Sequence, residues 1–491
     1  MSFYIYDVIF LIVFSLFVIT FLYKRRKNLK KEGIMYLYRT KVGLRFIEYV
    51  GTKYKKTLSV FAFLGIVCGY FLMIVMLWFL YRIVHLYLFM PDIVRAIKIP
   101  PLMPLIPYLP EAFNVSFLPP FYFTYWIISI AVIALFHEFA HGIIARRYNI
   151  RILTTGFGFL GPFLAAFVEP DEKEMEEKPK YQQLAVLSAG VFTNLILAIL
   201  FFILLSLFFL ITYVPAGAMF NTYTPGVVEI SSISMVGGKL VSDLSNQGIL
   251  DLIEENNLTD DLILGTNGNK INFTKIIANN KLYYTNIDNL KSQLNIEGRE
   301  QVIIYEDLPA INVGLRGSIV KVNEYDIKDY EDLSAAMEGL RPAEKISITT
   351  NDEGEVLEYE LALGMDPSNE SRAILGIGLM KNDGRMLGMI TDFFNFFKED
   401  GTNYEPRFNA DFVLFIYNLI WWLALINLSV ALINMWPVAI FDGGRFFMLT
   451  VWAITGSEKL AMSLFKLMTY LILGSLLLLM FGYFNAIGWI F

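Results

Sequence analysis

The sequence predicts a polytopic α-helical membrane protein of about six spans, interrupted by one inserted β-rich α/β domain. Three observations predict it. Hydrophobic residues make up 56% of the 491 residues and mean hydropathy is +0.52, more than an ordinary soluble enzyme carries. The apolar residues gather into runs long enough to cross a bilayer. One large polar block, residues 215–409, separates them, and its strand-like runs alternate with turn residues.

Charge supports the division. From Lys24 to Lys56 there are 12 Lys+Arg against 2 acidic residues, whereas 215–409 holds 16 against 31, a net of −15. A basic region and an acidic domain in one chain point to opposite sides of a membrane, and the acidic domain is no nucleic-acid binder. Cys68 is the single cysteine, which excludes an intrachain disulfide and any zinc site built on two cysteines.

Taken in order, residues 3–23 form the first apolar run, with Lys24-Arg25-Arg26-Lys27 behind it and no basic residue in front. That order is the reverse of a secretory signal peptide, so the run reads as an anchor with its N-terminus outside. Residues 58–81 return outward. The stretch 91–120 carries eight prolines (Pro91, Pro100, Pro101, Pro104, Pro107, Pro110, Pro119 and Pro120) and cannot be one helix. Residues 121–145 span inward and end on Arg146-Arg147. Gly156-Phe157-Gly158-Phe159-Leu160-Gly161-Pro162 is apolar but breaks helix, which fits a re-entrant turn, and Phe163–Val168 is strand-like. The charged patch 169–180 is a cytoplasmic loop, 184–214 spans outward, 410–434 inward and 460–485 outward. Residues 444–456 fit either an interfacial segment or part of a kinked helix. Four regions follow: 1–90, 91–214, 215–409 and 410–491. The sequons at Asn114, Asn257, Asn272 and Asn369 all fall on the expected outer side.

Inside the polar block, Gly317-Ser-Ile-Val-Lys-Val-Asn323-Glu324 precedes a helix opening at Asp332-Leu333, then Pro342 and the strand Lys345-Ile-Ser-Ile-Thr. That order resembles a PDZ domain of the kind found in bacterial proteases. Asp261–Gly268 reads as a degenerate second copy. The plainer alternative is any small β-rich exported domain.

The chemistry concentrates on His137-Glu138-Phe139-Ala140-His141, at the inner end of the third run. Ionisable groups are costly in lipid, so their presence there marks a function. Histidines at i and i+4 share one helix face, as a bound metal requires, while Glu138 projects about 100° away and is placed to act on water as a general base. A catalytic zinc takes three protein ligands. His85, the one remaining histidine, lies by Arg82 toward the outer face and reads as interfacial or structural. Asp442 is the better third ligand, because the topology brings Asn434-Met-Trp-Pro437-Val-Ala-Ile-Phe-Asp442-Gly443-Gly444 to the same leaflet as His137.

These elements together resemble the site-2 protease family of intramembrane zinc metalloproteases. His137–His141 matches HExxH, and Asn434…Pro437…Asp442-Gly443 matches N-x-x-P-x-x-x-x-D-G. Gly190-Val191-Phe192-Thr193-Asn194 matches G-P-x-x-N, except that Val191 stands where the motif has proline. The resemblance implies Zn²⁺ held by His137, His141 and Asp442, Glu138 as general base, and Asn194 and Asn434 holding the substrate backbone or its oxyanion. It also implies a transmembrane protein as substrate and an exported PDZ-like insertion that captures a new C-terminus or excludes bulky ectodomains. Two other classes stay open at the level of sequence: a transporter with polar groups along a pathway, and an inactive membrane scaffold.

Overall fold

We describe a computed structural model of the chain over residues 3–33, 35–90, 103–113, 115, 118–160, 163–260, 262–264, 271–296, 298–352, 354–366, 369–379 and 393–486. It divides into two compact units, residues 1–209 with 411–491, and residues 210–410.

The first unit begins with helix α1 (Phe3–Arg25), then a hairpin, β1 (Leu29–Glu32) and β2 (Met35–Thr40), and helices α2 (Leu44–Lys53) and α3 (Lys55–Phe89). Helix α4 (Phe123–Arg147) leads to a second hairpin, β3 (Ile152–Leu160) and β4 (Phe163–Pro170), then a short helix α5 (Glu172–Glu176) and the long α6 (Lys180–Thr212).

Residues 213–409 contribute β5 (Tyr213–Ala218), β6 (Thr222–Tyr223), β7 (Pro225–Glu229), β8 (Ile233–Val236), β9 (Lys239–Leu240), α7 (Asn246–Glu255), β10 (Leu262–Leu264), β11 (Ile271–Ala278), β12 (Lys281–Thr285), α8 (Ile287–Leu294) and β13 (Gln301–Glu306). Then come β14 (Ser318–Val322), β15 (Tyr325–Asp326), α9 (Tyr330–Glu338), β16 (Lys345–Asp352), β17 (Glu355–Ala362), β18 (Gly364–Asp366), β19 (Asn369–Ile374), β20 (Ile377–Gly378) and β21 (Thr402–Pro406). The chain closes with α10 (Ala410–Asn434), α11 (Asp442–Thr455) and α12 (Glu458–Ala486).

Among the described residues, six helices are long and apolar enough to cross a membrane: α1, α3, α4, α6, α10 and α12. All six expected spans are found. Only 11% of the apolar window of α1 and of α12 is buried by protein, against 50% for α10, so the two outer helices present their Phe, Leu and Ile side chains outward as lipid requires. The core between α3, α4, α6, α10 and α11 is built from small residues beside large ones. Ala140 and Ala145, Ala185 and Ala189, and Ala431 let the helices approach, while Leu72, Met435 and Phe446 fill the gaps. The C-terminal end of α4 is tied down by its arginines. Arg146 donates to Glu48 of α2 at 2.7 Å, and Arg147 donates to the Lys55 carbonyl and the Ser59 hydroxyl.

One expectation is corrected here. Residues 156–160 are not a re-entrant turn but the second half of strand β3, in a four-stranded antiparallel sheet ordered β1-β2-β3-β4. Gly161 and Pro162 lie outside the described residues. The glycines serve close packing instead: a Cβ on Gly156 would stand 2.4 Å from the Tyr38 carbonyl oxygen of β2. The basic region 24–56 supplies β1, β2 and the amphipathic α2. Residues 444–456 are mostly helix α11, and not a continuation of α10. Of the proline-rich stretch, residues 91–102 lie outside the described residues, and Leu109–Ala112 form a single helical turn.

The second unit holds a sheet ordered β7-β13-β12-β11-β8-β9, with β10 beside β11, and another ordered β17-β16-β14-β5-β21, with β15 beside β14. One pattern occurs twice in it: a strand, an asparagine turn, a strand, a capped helix, and a strand. In β14–β16 the turn is Asn323 (φ +50°), the cap is Asp329 accepting from the Asp332 N–H, and Leu333 is the buried helix residue. In β11–β13 the corresponding residues are Asn279 (φ +52°), Asn286 and Leu290. Asparagine tolerates the left-handed turn and a short acceptor side chain starts the helix, so the two copies share their physics. The pattern recurs at 271–306; of the expected copy at Asp261–Gly268, residues 261 and 265–268 lie outside the described residues. Asn114 also lies outside them.

Candidate active site

Helix α4 places His137 and His141 one turn apart on the same face, their Nε2 atoms 3.0 Å apart. Asp442, the first residue of α11, turns its Oδ2 to within 3.4 Å of the first and 3.3 Å of the second. All three donor atoms lie within 4.8 Å of one another, which no other His/Cys/Asp/Glu group among the described residues achieves with three members. The triangle fits zinc. Zinc–nitrogen and zinc–oxygen bonds of about 2.0–2.2 Å in a tetrahedron set donor separations of about 3.3–3.6 Å, close to the edges found.

The local fold makes this convergence possible. Helix α10 stops at Asn434, and a loop through Pro437 doubles back before α11 begins. Gly443 and Gly444 permit the doubling: a Cβ would stand 2.4 Å from the Met435 carbonyl carbon and 2.2 Å from the Val438 oxygen, respectively. A third glycine guards the metal position itself. On Gly190 of α6, a Cβ would stand 2.5 Å from His141 Nε2 and 2.6 Å from His137 Nε2.

Each imidazole is held from behind. The His141 Nδ1 lies 2.7 Å from the Val186 carbonyl oxygen, and the His137 Nδ1 lies 2.9 Å from the Asn194 amide. Such outer partners fix the ring and its tautomer. Glu138 points elsewhere, and its Oε2 accepts from the Val168 N–H of β4 at 3.2 Å.

The metal donors and Glu138 line one cleft of about 670 Å³, together with Trp126 and Ile133 of α4, Ala166 and Val168 of β4, and Asn434 of α10. Asn434 is thus open to this cleft. Asn194 is fully buried, does not line the cleft, and stands behind His137. His85 sits on α3 between the rings of Tyr81 and Phe89, outside the metal-donor group.

Sequence reasoning passed over one residue that positions the site. Asp7 of α1 is 1% exposed and accepts from the N–H groups of both Phe123 and Thr124 at 2.8 Å, and from the hydroxyls of Thr124 and Tyr108. Those N–H groups open α4, whose own preceding residue, Tyr122, offers no side-chain cap. A carboxylate from one helix thus caps another. The signal was present: one acid in a long apolar run.

Six apolar helices and a two-histidine, one-aspartate donor set define a multi-pass membrane protein with a metallopeptidase-type centre. The family model of peptidase family M50 matches residues 125–479, and the chain belongs to that family, the site-2 proteases. No curated protein matches the chain closely enough to count as a relative.

Proposed function

We propose that this protein is a zinc-dependent intramembrane endopeptidase, cutting a peptide bond within or near a transmembrane segment of another membrane protein. The observation that carries the reading is the donor triangle of His137, His141 and Asp442 opening on the same cleft as Glu138. When bound, zinc supplies Lewis-acid chemistry, polarising a carbonyl and acidifying water. The chain does the rest. Glu138 takes the proton from the attacking water and returns it to the leaving amine. Asn434 holds the substrate backbone or its oxyanion from the α10 side. The apolar walls, Trp126 and Ile133 among them, admit a hydrophobic segment and keep bulk water low.

A transmembrane helix offers no free peptide, because its carbonyls are bonded within the helix, so it must unwind before it is cut. Strand β4 supplies a place for the unwound piece. It ends the sheet, and the Val168 N–H, bonded to Glu138, is turned away from β3. By strand alternation the Ala166 N–H and C=O also face outward, and Ala166 lines the cleft. An extended substrate segment adds to this edge by main-chain hydrogen bonds.

In the membrane, the basic segment 24–56 favours the cytoplasmic side and residues 215–409 the outer side. The twice-occurring pattern in the second unit supports the PDZ-like reading, and the region then selects substrates for a regulated cut. Metal removal tests the core of the proposal. Purified protein should hold about one zinc per chain, lose both metal and cleavage of a transmembrane substrate to a chelator, and recover both on zinc addition. His141→Ala and Asp442→Ala should bind no zinc. Cleavage that survives complete zinc removal would rule the proposal out.

A further inference from the structure

We infer that Asn194 is a positioning residue for the metal, acting as the hydrogen-bond acceptor that fixes the tautomer of His137. The inference rests on the zinc-site reading and deepens it. A neutral imidazole carries one N–H, so a histidine that offers Nε2 to a metal must carry its proton on Nδ1. That Nδ1–H is buried and needs an acceptor. For His141 the acceptor is the Val186 carbonyl oxygen, at 2.7 Å. For His137 the group facing Nδ1 is the side-chain amide of Asn194, at 2.9 Å.

Two mismatches then coincide. The amide as placed turns its nitrogen to His137 Nδ1, which would force the imidazole proton onto Nε2 and block the metal position. The same placement leaves the Asn194 Oδ1 buried without a partner. The oxygen and nitrogen of an amide differ by a half-turn of one torsion and are assigned by their hydrogen bonds. One half-turn removes the first mismatch: Oδ1 accepts from the Nδ1–H and Nε2 is free for zinc, while the amide N–H groups take the place where Oδ1 had no partner. Asn194 is 0% exposed and outside the cleft lining, so it acts through His137 and does not touch the substrate.

The test uses full-length protein in detergent, with zinc affinity measured by chelator competition. Asn194→Ala should weaken zinc binding about 10–100-fold, the usual cost of losing such an outer partner. Asn194→Asp, which keeps an acceptor at the same place, should stay within a few-fold of wild type. Equal zinc affinity in wild type and Asn194→Ala, or equal losses in both variants, would overturn the inference while leaving the zinc site standing. A wild type that binds no zinc would overturn both. If Asn194→Ala fails to fold, ¹⁵N-histidine spectra of the zinc form decide, since the chain has only three histidines. In Asn194→Asp the Nδ1 signal of one zinc-bound histidine should shift while the other stays fixed, and two unmoved signals would overturn the inference.

Discussion

Gly190 shows how narrow the tolerances are at the scale of single residues. A side chain there would occupy the space between the two imidazoles, 2.5 Å from one Nε2 and 2.6 Å from the other. Gly190→Ala should therefore lose zinc in the chelator assay while the metal-free protein keeps its helical circular dichroism. Unchanged zinc affinity would show that the rings have room to move. The motif residues themselves were readable in the sequence, because three histidines in the whole chain leave few ways to build a metal site. Their outer partners were harder to read. The Val186 carbonyl is backbone, which no residue type announces, and Asn194 was recognisable as part of a motif but not as the group behind His137.

Among the elements, the helices were legible and the four-stranded sheet of the first unit was not. A span declares itself through some twenty apolar residues, whereas β1 to β4 combine two hairpins separated by about 110 residues of sequence. Their pairing, Tyr38 opposite Phe157, is a long-range contact with no local signal. The apolar glycine stretch was misread as a turn because glycine breaks strands and helices alike. The free edge of β4 carries a prediction. Ala166→Pro removes one outward N–H without a charge change, so it should cut cleavage of a membrane substrate at least tenfold with zinc content unchanged. Full activity in that variant would exclude strand addition.

Helix α1 makes a second prediction at this scale. Little of it is buried, yet Asp7 joins it to the first turn of α4 through four donors. Helix caps contribute roughly 0.5–2 kcal/mol, and hydrogen bonds to a charged acceptor about 1.5–3 kcal/mol. Asp7→Ala should thus lower thermal stability by about 2 kcal/mol or more, and Asp7→Asn by less. Equal melting of Asp7→Ala and wild type would mean that α4 needs no cap from α1.

Across the whole molecule, the proposed reaction sets one problem: hydrolysis where both water and charge are scarce. The ionisable groups of the site are gathered at one end of α4 and at the start of α11, and backbone and amide groups meet His141 Nδ1, Glu138 Oε2 and His137 Nδ1. The polar block is set apart as its own unit, entered from α6 and left by α10, with internal cores built around Ile319 and Ile276. Charge and hydropathy set off residues 215–409 in the sequence, and the compact unit runs over 210–410. The placement of the repeated pattern at 271–306 was not legible there, since it depends on which asparagine adopts a left-handed turn.

The most direct measurement is Glu138→Gln beside wild type, both reconstituted in liposomes and assayed for zinc content and for cleavage of a transmembrane substrate. The substitution keeps the size of the side chain and removes its basicity. Equal zinc in both proteins, with cleavage falling at least a thousandfold in the variant, is the predicted result. Equal cleavage by the two would contradict the assignment of this site as a protease.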